Sequence, residues 1–450
     1  MPHLERRLSL DVVVPVAVGV TIVAFAAGSS SVAEVVQVGR TVRWLALLVL
    51  SVLAAIWAID RRHASTLRPF VAVPASCLLG VALLSSTWSV DPRLTAERAA
   101  TLVLLLVTSG ALALACSGRT GAIDRVLAGL IGGAAVVAAL GLPLLAIDHR
   151  AAVEQATLDL PARYRGFGEN PNTVSLLLAL CLPVAAWFVL GSSSRRRRVL
   201  ALALGLFFDA SIVASGSRGA LIAGFAGVAA VAVLAPGRRL VRAARALAVA
   251  ALLVASTAIA LAPTSKGERA AQPKVPAQRS ARPRSNPRYL DVQSAFPLEF
   301  DIGSPVPGEA SPTHRLLFGL SGRGEAWRGA IDQADQRPAL GHGFGTEDRV
   351  FVDRYANFAG GLPENSFIGL YLQLGATGLV VFLVLVAALV VAAVRALPRS
   401  EAAVSLGVLL AALVLACVQS YIYSVGNVGT AAVWICAFLG GGLFARRAAT

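Results

Sequence analysis

The sequence predicts an all-α, polytopic integral membrane protein. Of its 450 residues, 56% are hydrophobic and 14% charged, more apolar surface than a soluble chain of this length hides. Mean hydropathy is +0.71. The apolar residues gather in runs of bilayer-crossing length, about 20 residues for a helix, and such runs recur from one end of the chain to the other.

The first run follows "MPHLERRLSLDVVVPVAVGV", where Arg6 and Arg7 precede the apolar stretch. Positive charge before an apolar run also describes a signal peptide. No A-x-A cleavage pattern follows, and many spans come after it, so it reads as a retained first helix. Spans are expected near 9–28, 44–59, 69–88, 99–116, 124–146, 173–190, 199–214, 219–235, 246–262, 374–394, 403–420 and 429–445, about twelve in all. The expected organisation is a membrane domain over 1–262 with nine helices, an extracytoplasmic region over 263–364, and a membrane domain over 365–450 with three more.

Orientation follows from the arginines. With the N-terminus in the cytoplasm, the inward segments hold 19 basic residues, including Arg61, Arg62, Arg119, Arg125, Arg195 to Arg198 and Arg446. The short outward loops hold 8. Long loops translocate regardless of charge and are left out of the comparison. The bias places both termini in the cytoplasm and the 263–364 region outside the cytoplasmic membrane. Arg195 to Arg198 then read as a topology anchor beside anionic lipid.

The net charge of +15 suits basic cytoplasmic loops and anionic lipid or phosphate partners. No basic stretch with interleaved aromatics points to nucleic acid. The five cysteines, Cys77, Cys116, Cys181, Cys417 and Cys436, all fall in apolar runs and none forms a C-x-x-C pair. They read as small buried hydrophobes. Five histidines without an H-E-x-x-H pattern give no reason to expect a metal.

The large outward region has two parts. Residues 263–312 contain nine of the 22 prolines and read as an extended linker. Residues 313–364 contain "SGRGEAWRGAIDQADQRPALGHGFGT", where a helix is expected from Gly324 to about Gln336, ending before Pro338. Ala326, Trp327, Ala330, Ile331 and Ala334 give it an apolar stripe at helical spacing, suited to lying on the membrane face.

Three outward loops carry arginines and carboxylates beside spans. "RYRGFGENPNTVSL" holds Arg163, Arg165 and Asn172. "SGSRGAL" holds Arg218. The large region holds Arg323 and ends in "PENSF" with Glu364 and Asn365. Arginine presents a planar, permanently charged fork that grips diphosphate oxygens two at a time. At the headgroup level it would meet the phosphates of a lipid diphosphate. Each residue also has a plainer reading. Arg218 is a hairpin anchor that snorkels to the headgroups, although the small residues around it let a ligand approach the backbone. Arg163 and Arg165 are ordinary loop charges, Arg323 flanks its helix, and Glu364 favours the next helix's dipole. His342, in "LGHGFG", reads as a turn residue. These residues point to an outward-facing site for an anionic, lipid-linked substrate and leave transport and catalysis both open.

Four stretches in order carry a resemblance: "WSVDP" from Trp88 to Pro92, "RGFGENPNTVS" from Arg165 to Ser175, "SGSRGALIAG" from Ser215 to Gly224, and "SGRGEAWRGAIDQADQRPALGHGFG" through "ENSFIGLYLQLGATGL". In these the chain resembles the O-antigen ligase and O-antigen polymerase superfamily of bacterial membrane glycosyltransferases. The resemblance implies a GT-C type helical fold. It also implies transfer of a glycan from a polyprenyl diphosphate carrier to a glycan, lipid or cell-wall acceptor, without a metal, nucleotide sugar or other cofactor. By position, Arg218 and Arg323 would hold the diphosphate with Arg165 near them, and Arg163, Asn172, Asn365 and His342 would support the site. Ligases of this family usually carry histidine before the asparagine at 365; here Glu364 stands there, and a partly buried carboxylate also serves as a general base. An inverting transferase is the expected activity. A chain polymerase and a flippase for lipid-linked glycans are the alternatives.

Overall fold

In the computed structural model, residues 2–59, 65–117, 119, 121–155, 162–237, 239–261, 323–351, 362–397, 401–440 and 444–446 are described. The proline-rich segment 263–312, and residues 313–322 and 352–361 of the expected loop, lie outside the described residues.

Every expected span overlaps a helix, but the last two, 403–420 and 429–445, run past theirs, which end at Ala416 and Leu439. The first nine are α1 (Pro2–Ala27), α2 (Ala33–Ile59), α3 (Pro69–Leu84), α4 (Pro92–Cys116), α5 (Ala122–Ile147), then, after the short α6 (His149–Ala152), α7 (Pro171–Gly191), α8 (Arg195–Ser215), α9 (Arg218–Leu234) and α10 (Arg239–Leu261). The large region contributes α11 (Arg323–Ala334) and the short α12 (Glu347–Val350). The last three spans are α13 (Ser366–Arg395), α14 (Glu401–Ala416) and α15 (Val428–Leu439). Among the described residues nine helices have the length and composition to cross a membrane, and α9, α14 and α15 are apolar but shorter. Strand content is slight: β1 (Ser65–Leu67) pairs antiparallel with β4 (Phe444–Arg446), and β2 (Val153–Glu154) with β3 (Arg163–Tyr164). This is the all-α, multi-pass architecture the composition demands.

The helix starts are written in the sequence. Asp91 caps α4, its Oδ1 accepting from Leu94 N at 3.1 Å, with Pro92 at the first helical position. Asn170 caps α7 in the same way, accepting from Asn172 N and Thr173 N at 2.9 and 3.1 Å, ahead of Pro171. The "WSVDP" and "RGFGENPNTVS" motifs are therefore, in part, helix-start signals.

Packing relies on small residues, as expected where lipid removes the hydrophobic drive between helices. In α1 and α5 the backbones touch at Gly19, Gly129 and Gly133; a Cβ on Gly129 would collide with the Pro15 carbonyl oxygen. The most enclosed element is α15, buried along its whole length from Val428 to Leu439 and packed against α4, α7 and α14.

The two ends of the bundle differ. At one end β1 meets β4, and Asp11 accepts from Arg119 Nη1 at 2.5 Å, Trp57 Nε1 at 3.0 Å and Arg125 Nη2 at 3.3 Å. At the other end the loops meet one another. Glu169 N donates to Ser29 O at 2.8 Å, and Arg43 Nη1 to Gly426 O at 3.1 Å.

A break in α13 seats the large region on the bundle. Gly375 sits at φ 63, ψ −166 and divides α13 into two helices. The break frees the carbonyls of Leu372 and Gln373, which accept from His342 N (3.1 Å) and Gly343 N (2.8 Å). Ala376 N and Thr377 N turn instead to Pro338 O and Ala339 O, at 2.7 and 3.2 Å. The part after the break, Ala376 to Arg395, corresponds to the expected span 374–394; the part before it, Ser366 to Leu374, precedes that span.

Only glycine adopts that backbone readily, and a Cβ there would collide with Ala339 C and O. Gly375→Ala is expected to cost more than about 3 kcal/mol, seen as loss of the monodisperse peak and a lowered thermal midpoint in detergent. Gly110→Ala in α4, where nothing lies within 4 Å, is expected to leave both unchanged.

Candidate functional site

The large region is held down by its own sequence neighbours. In α11, Ala326, Ala330 and Ala334 are buried with Phe351 and Leu372, and Ile368 and Tyr371 pack beside them. The stripe expected on the membrane face is thus largely a contact with the first half of α13, and Ile331 stays exposed. Tyr371 OH donates to Asp335 Oδ1 at 2.7 Å. The turn after α11 docks on the "WSVDP" stretch: Trp88 Nε1 donates to Leu340 O at 3.1 Å, Val90 N to His342 O at 3.0 Å, and Arg337 Nη1 to Trp88 O at 3.2 Å. That motif is the seat of the loop.

This seating puts Arg323, the first residue of α11, beside Glu364. Arg323 Nη2 lies 3.8 Å from Glu364 Oε2. The separation makes an ion pair without a hydrogen bond. Among the described residues, Arg323 Nε and Glu364 Oε2 make no hydrogen bond. Burial raises the Glu364 carboxyl above the ordinary range, and the Arg323 charge opposes that rise. Glu364 also has φ 53, the only positive value outside glycine among the described residues. Such a backbone costs about 1–3 kcal/mol and gathers at functional sites.

Asn365 anchors the start of α13. Its Oδ1 accepts from Phe367 N and Ile368 N, at 3.0 and 3.2 Å, capping the helix, while Nδ2 donates to Cys417 O at 3.0 Å. Ser366 Oγ donates to Gln419 O at 2.6 Å. The 417–427 loop between α14 and α15 is therefore fastened to the two residues after Glu364.

The same loop reaches the arginine hairpin. Gly216 turns the chain at φ 61, and Arg218 opens α9, half-buried. Gly219 lies so close to Val418 that a Cβ would stand 2.8 Å from Val418 Cγ2. Arg218 and Glu364 thus flank one short stretch, Cys417 to Gln419.

Of the two loop arginines, Arg163 is the one brought to the hairpin. Its Nε donates to Ser215 O at 2.8 Å and its Nη2 to Asn172 Oδ1 at 3.1 Å, with Glu154 Oε2 3.7 Å from Nη1. Arg165 folds back at the Gly166 turn. It donates to Ala151 O and Arg150 O, each at 2.7 Å, and to Glu169 O at 3.3 Å. Its guanidinium staples the α6 segment to the loop.

His342 is buried between Gly341 and Gly343, both at positive φ, with Nε2 3.1 Å from Gln333 O. Burial lowers its pKa. Gln333 lies in the last turn of α11, ten residues after Arg323, about 15 Å along the helix. His342 is a turn residue at the far end of α11.

Sequence reasoning missed Glu347, which lies in "GTEDRV" and is 3% exposed. Its Oε1 accepts from Ser420 Oγ at 2.9 Å; its Oε2 accepts from Tyr423 OH at 2.5 Å and Gln373 Nε2 at 3.1 Å. Burial pushes its carboxyl up to about 7. The one available signal was the polar content of "CVQSYIYSVGN", unusual between two apolar helices.

Residues 200–383 match the family model described as O-antigen ligase. Over this stretch the chain is similar to the O-antigen ligase superfamily, and the match supports that family for it. No curated protein matches the chain. The matched stretch runs from α8 into α13 and contains Arg218, Arg323, Glu364, Asn365 and Glu347. The chain is accordingly a multi-pass membrane enzyme of glycosyltransferase or ligase type, with a ligase-like or polymerase-like role in polysaccharide biosynthesis. Arg163, Arg165 and Asn172 precede the matched stretch; of these, Arg163 reaches it directly, donating to Ser215 O.

Proposed function

We propose that this protein is an inverting glycosyltransferase. It moves a glycan from a polyprenyl diphosphate carrier to an acceptor hydroxyl on the outer face of the cytoplasmic membrane, with both termini inside. Glu364 takes the proton from the acceptor hydroxyl. The oxygen attacks the anomeric carbon, the bond from that carbon to the diphosphate oxygen breaks, and the lipid diphosphate leaves with the bonding pair. Arg323 and Arg218 neutralise the charge that grows on the leaving group. Arg163 and Asn172 shape the hairpin that presents Arg218, and Arg165 holds the loop behind it. Arginines in fixed positions do this without reorganising at the moment of reaction. The acceptor is a glycan, lipid or cell-wall hydroxyl, and the reading requires no metal or cofactor.

One observation carries this reading: the loop Cys417 to Gln419 touches both the helix opened by Arg218 and the residues following Glu364, which itself pairs with Arg323. The test is transfer in vesicles holding the purified protein, a polyprenyl-diphosphate glycan repeat and a chelator. Formation of transferred product supports it. Movement of intact lipid-linked glycan between leaflets with no new glycosidic bond defeats it in favour of a flippase. A ladder of products assigns a polymerase, and a single transfer to a distinct acceptor assigns a ligase.

A further inference from the structure

The proposed transfer step does not use the Glu347 cluster, and Glu347 is buried. We infer that Glu347 is a positioning residue for Glu364, acting through the Ser420 hydroxyl on the Asn365 peptide N–H. The inference rests on Glu364 being the base.

The directions of the hydrogen bonds are fixed from one end. Gly345 N donates to Gln373 Oε1 at 2.6 Å, which leaves Gln373 Nε2 to donate to Glu347 Oε2. Tyr423 donates to the same oxygen. The side chain at 347 must therefore present an acceptor there. A glutamine turned to put Nε2 at that oxygen would oppose Gln373 Nε2. On the other oxygen, the Ser420 hydroxyl hydrogen points at Glu347. That leaves the Ser420 lone pairs for Asn365 N, 3.2 Å away. Asn365 N belongs to the peptide unit that begins at Glu364. Holding that unit holds Glu364 in its left-handed conformation, which an ordinary residue leaves when it can. Relaxation of that backbone would carry the carboxylate away from Arg323.

The charged and titratable groups facing Glu347 are few: Tyr423 from the 417–427 loop, Asp348 beside it in α12, and Arg98 from α4. Arg98 is itself engaged, with Asp348 at 3.1 Å and with the Gly345 carbonyl. Among the described residues, the link from Glu347 to the Asn365 peptide N–H therefore runs through Ser420.

The experiment compares Glu347→Gln, Ser420→Ala and Glu364→Gln in vesicles with a polyprenyl-diphosphate glycan. It reads kcat, the donor KM, the pH dependence of kcat and the thermal midpoint. Glu347→Gln and Ser420→Ala are expected to lower kcat about 10–100-fold, the scale of a small misplacement of a reacting group, with donor KM within about twofold. Their acid limb is expected to move to higher pH, because Glu364 loses the Arg323 charge that lowers its pKa. A purely structural role would leave that limb where it is. Should Glu347→Gln fail to fold, Ser420→Ala removes only the relay and keeps the bonds from Tyr423 and Gln373. Wild-type kcat, or a reduced kcat with an unmoved limb, in the folded variants overturns the inference while Glu364→Gln stays inactive. Full activity in Glu364→Gln overturns the base assignment and this inference with it.

Discussion

Glu364→Gln is expected to lower transfer by about 100- to 10,000-fold, the range for a lost general base, while donor binding stays near wild type. Glutamine keeps the shape of the side chain and can stay beside Arg323, but it cannot accept the proton of the acceptor hydroxyl. The pH dependence makes the assignment specific. A base works in its ionised form, so activity falls as pH drops through the pKa of Glu364. Burial raises that pKa above the ordinary carboxylate range and the Arg323 charge restrains the rise. The wild-type acid limb therefore lies above the ordinary value for glutamate, about 4.3. Arg323→Ala removes the restraint, and the limb should move higher still, on top of the loss of leaving-group stabilisation. Glu364→Gln should abolish the limb altogether. The readout is the initial rate of glycan transfer between about pH 4 and pH 9. A Glu364→Gln variant with a wild-type profile would remove this residue from the chemistry.

The helical architecture was legible because bilayer thickness writes itself directly into the length of apolar runs. Each of the twelve expected spans overlaps a helix, from α1 to α15, although α14 and α15 stop short of the ends expected for them. The division of α13 was not legible. Gly375 lies in "LQLGATGL", and only the exchange of hydrogen bonds with Pro338 and Ala339 shows the break. At the site, Arg323 and Glu364 were each singled out from charge type and place beside spans, but their pairing was not legible. Nor was the difference between Arg163 and Arg165. They stand two residues apart, and what separates their roles is the turn at Gly166, which sends one guanidinium to Ser215 and the other back to the α6 carbonyls. Glu347 was illegible for a related reason. A carboxylate beside Asp348 and Arg349 carries no local mark of burial, because its partners Gln373, Ser420 and Tyr423 come from elements far along the chain.

Arg218→Ala is expected to lower kcat/KM for the lipid-linked donor by about 10- to 100-fold, the scale of a lost hydrogen bond to a charged group. Much of the loss should appear in donor KM, because a diphosphate is charged before and during bond cleavage and Arg218 would hold it in both states. The additional charge that develops on the leaving oxygen should add a smaller fall in kcat. Arg218→Lys keeps the charge and loses the two-pronged grip, so it should recover part of the KM and little of the kcat. A topology anchor behaves otherwise. Lysine snorkels to the headgroups as well as arginine does, so an anchor would tolerate Arg218→Lys completely, and Arg218→Ala would reduce insertion or expression without raising donor KM. The position of the hairpin sharpens the contrast. Gly216 and the close contact of Gly219 with Val418 hold the start of α9 against the loop that also fastens Asn365. Donor titrations of the alanine and lysine variants, normalised to correctly inserted protein, decide between the two roles.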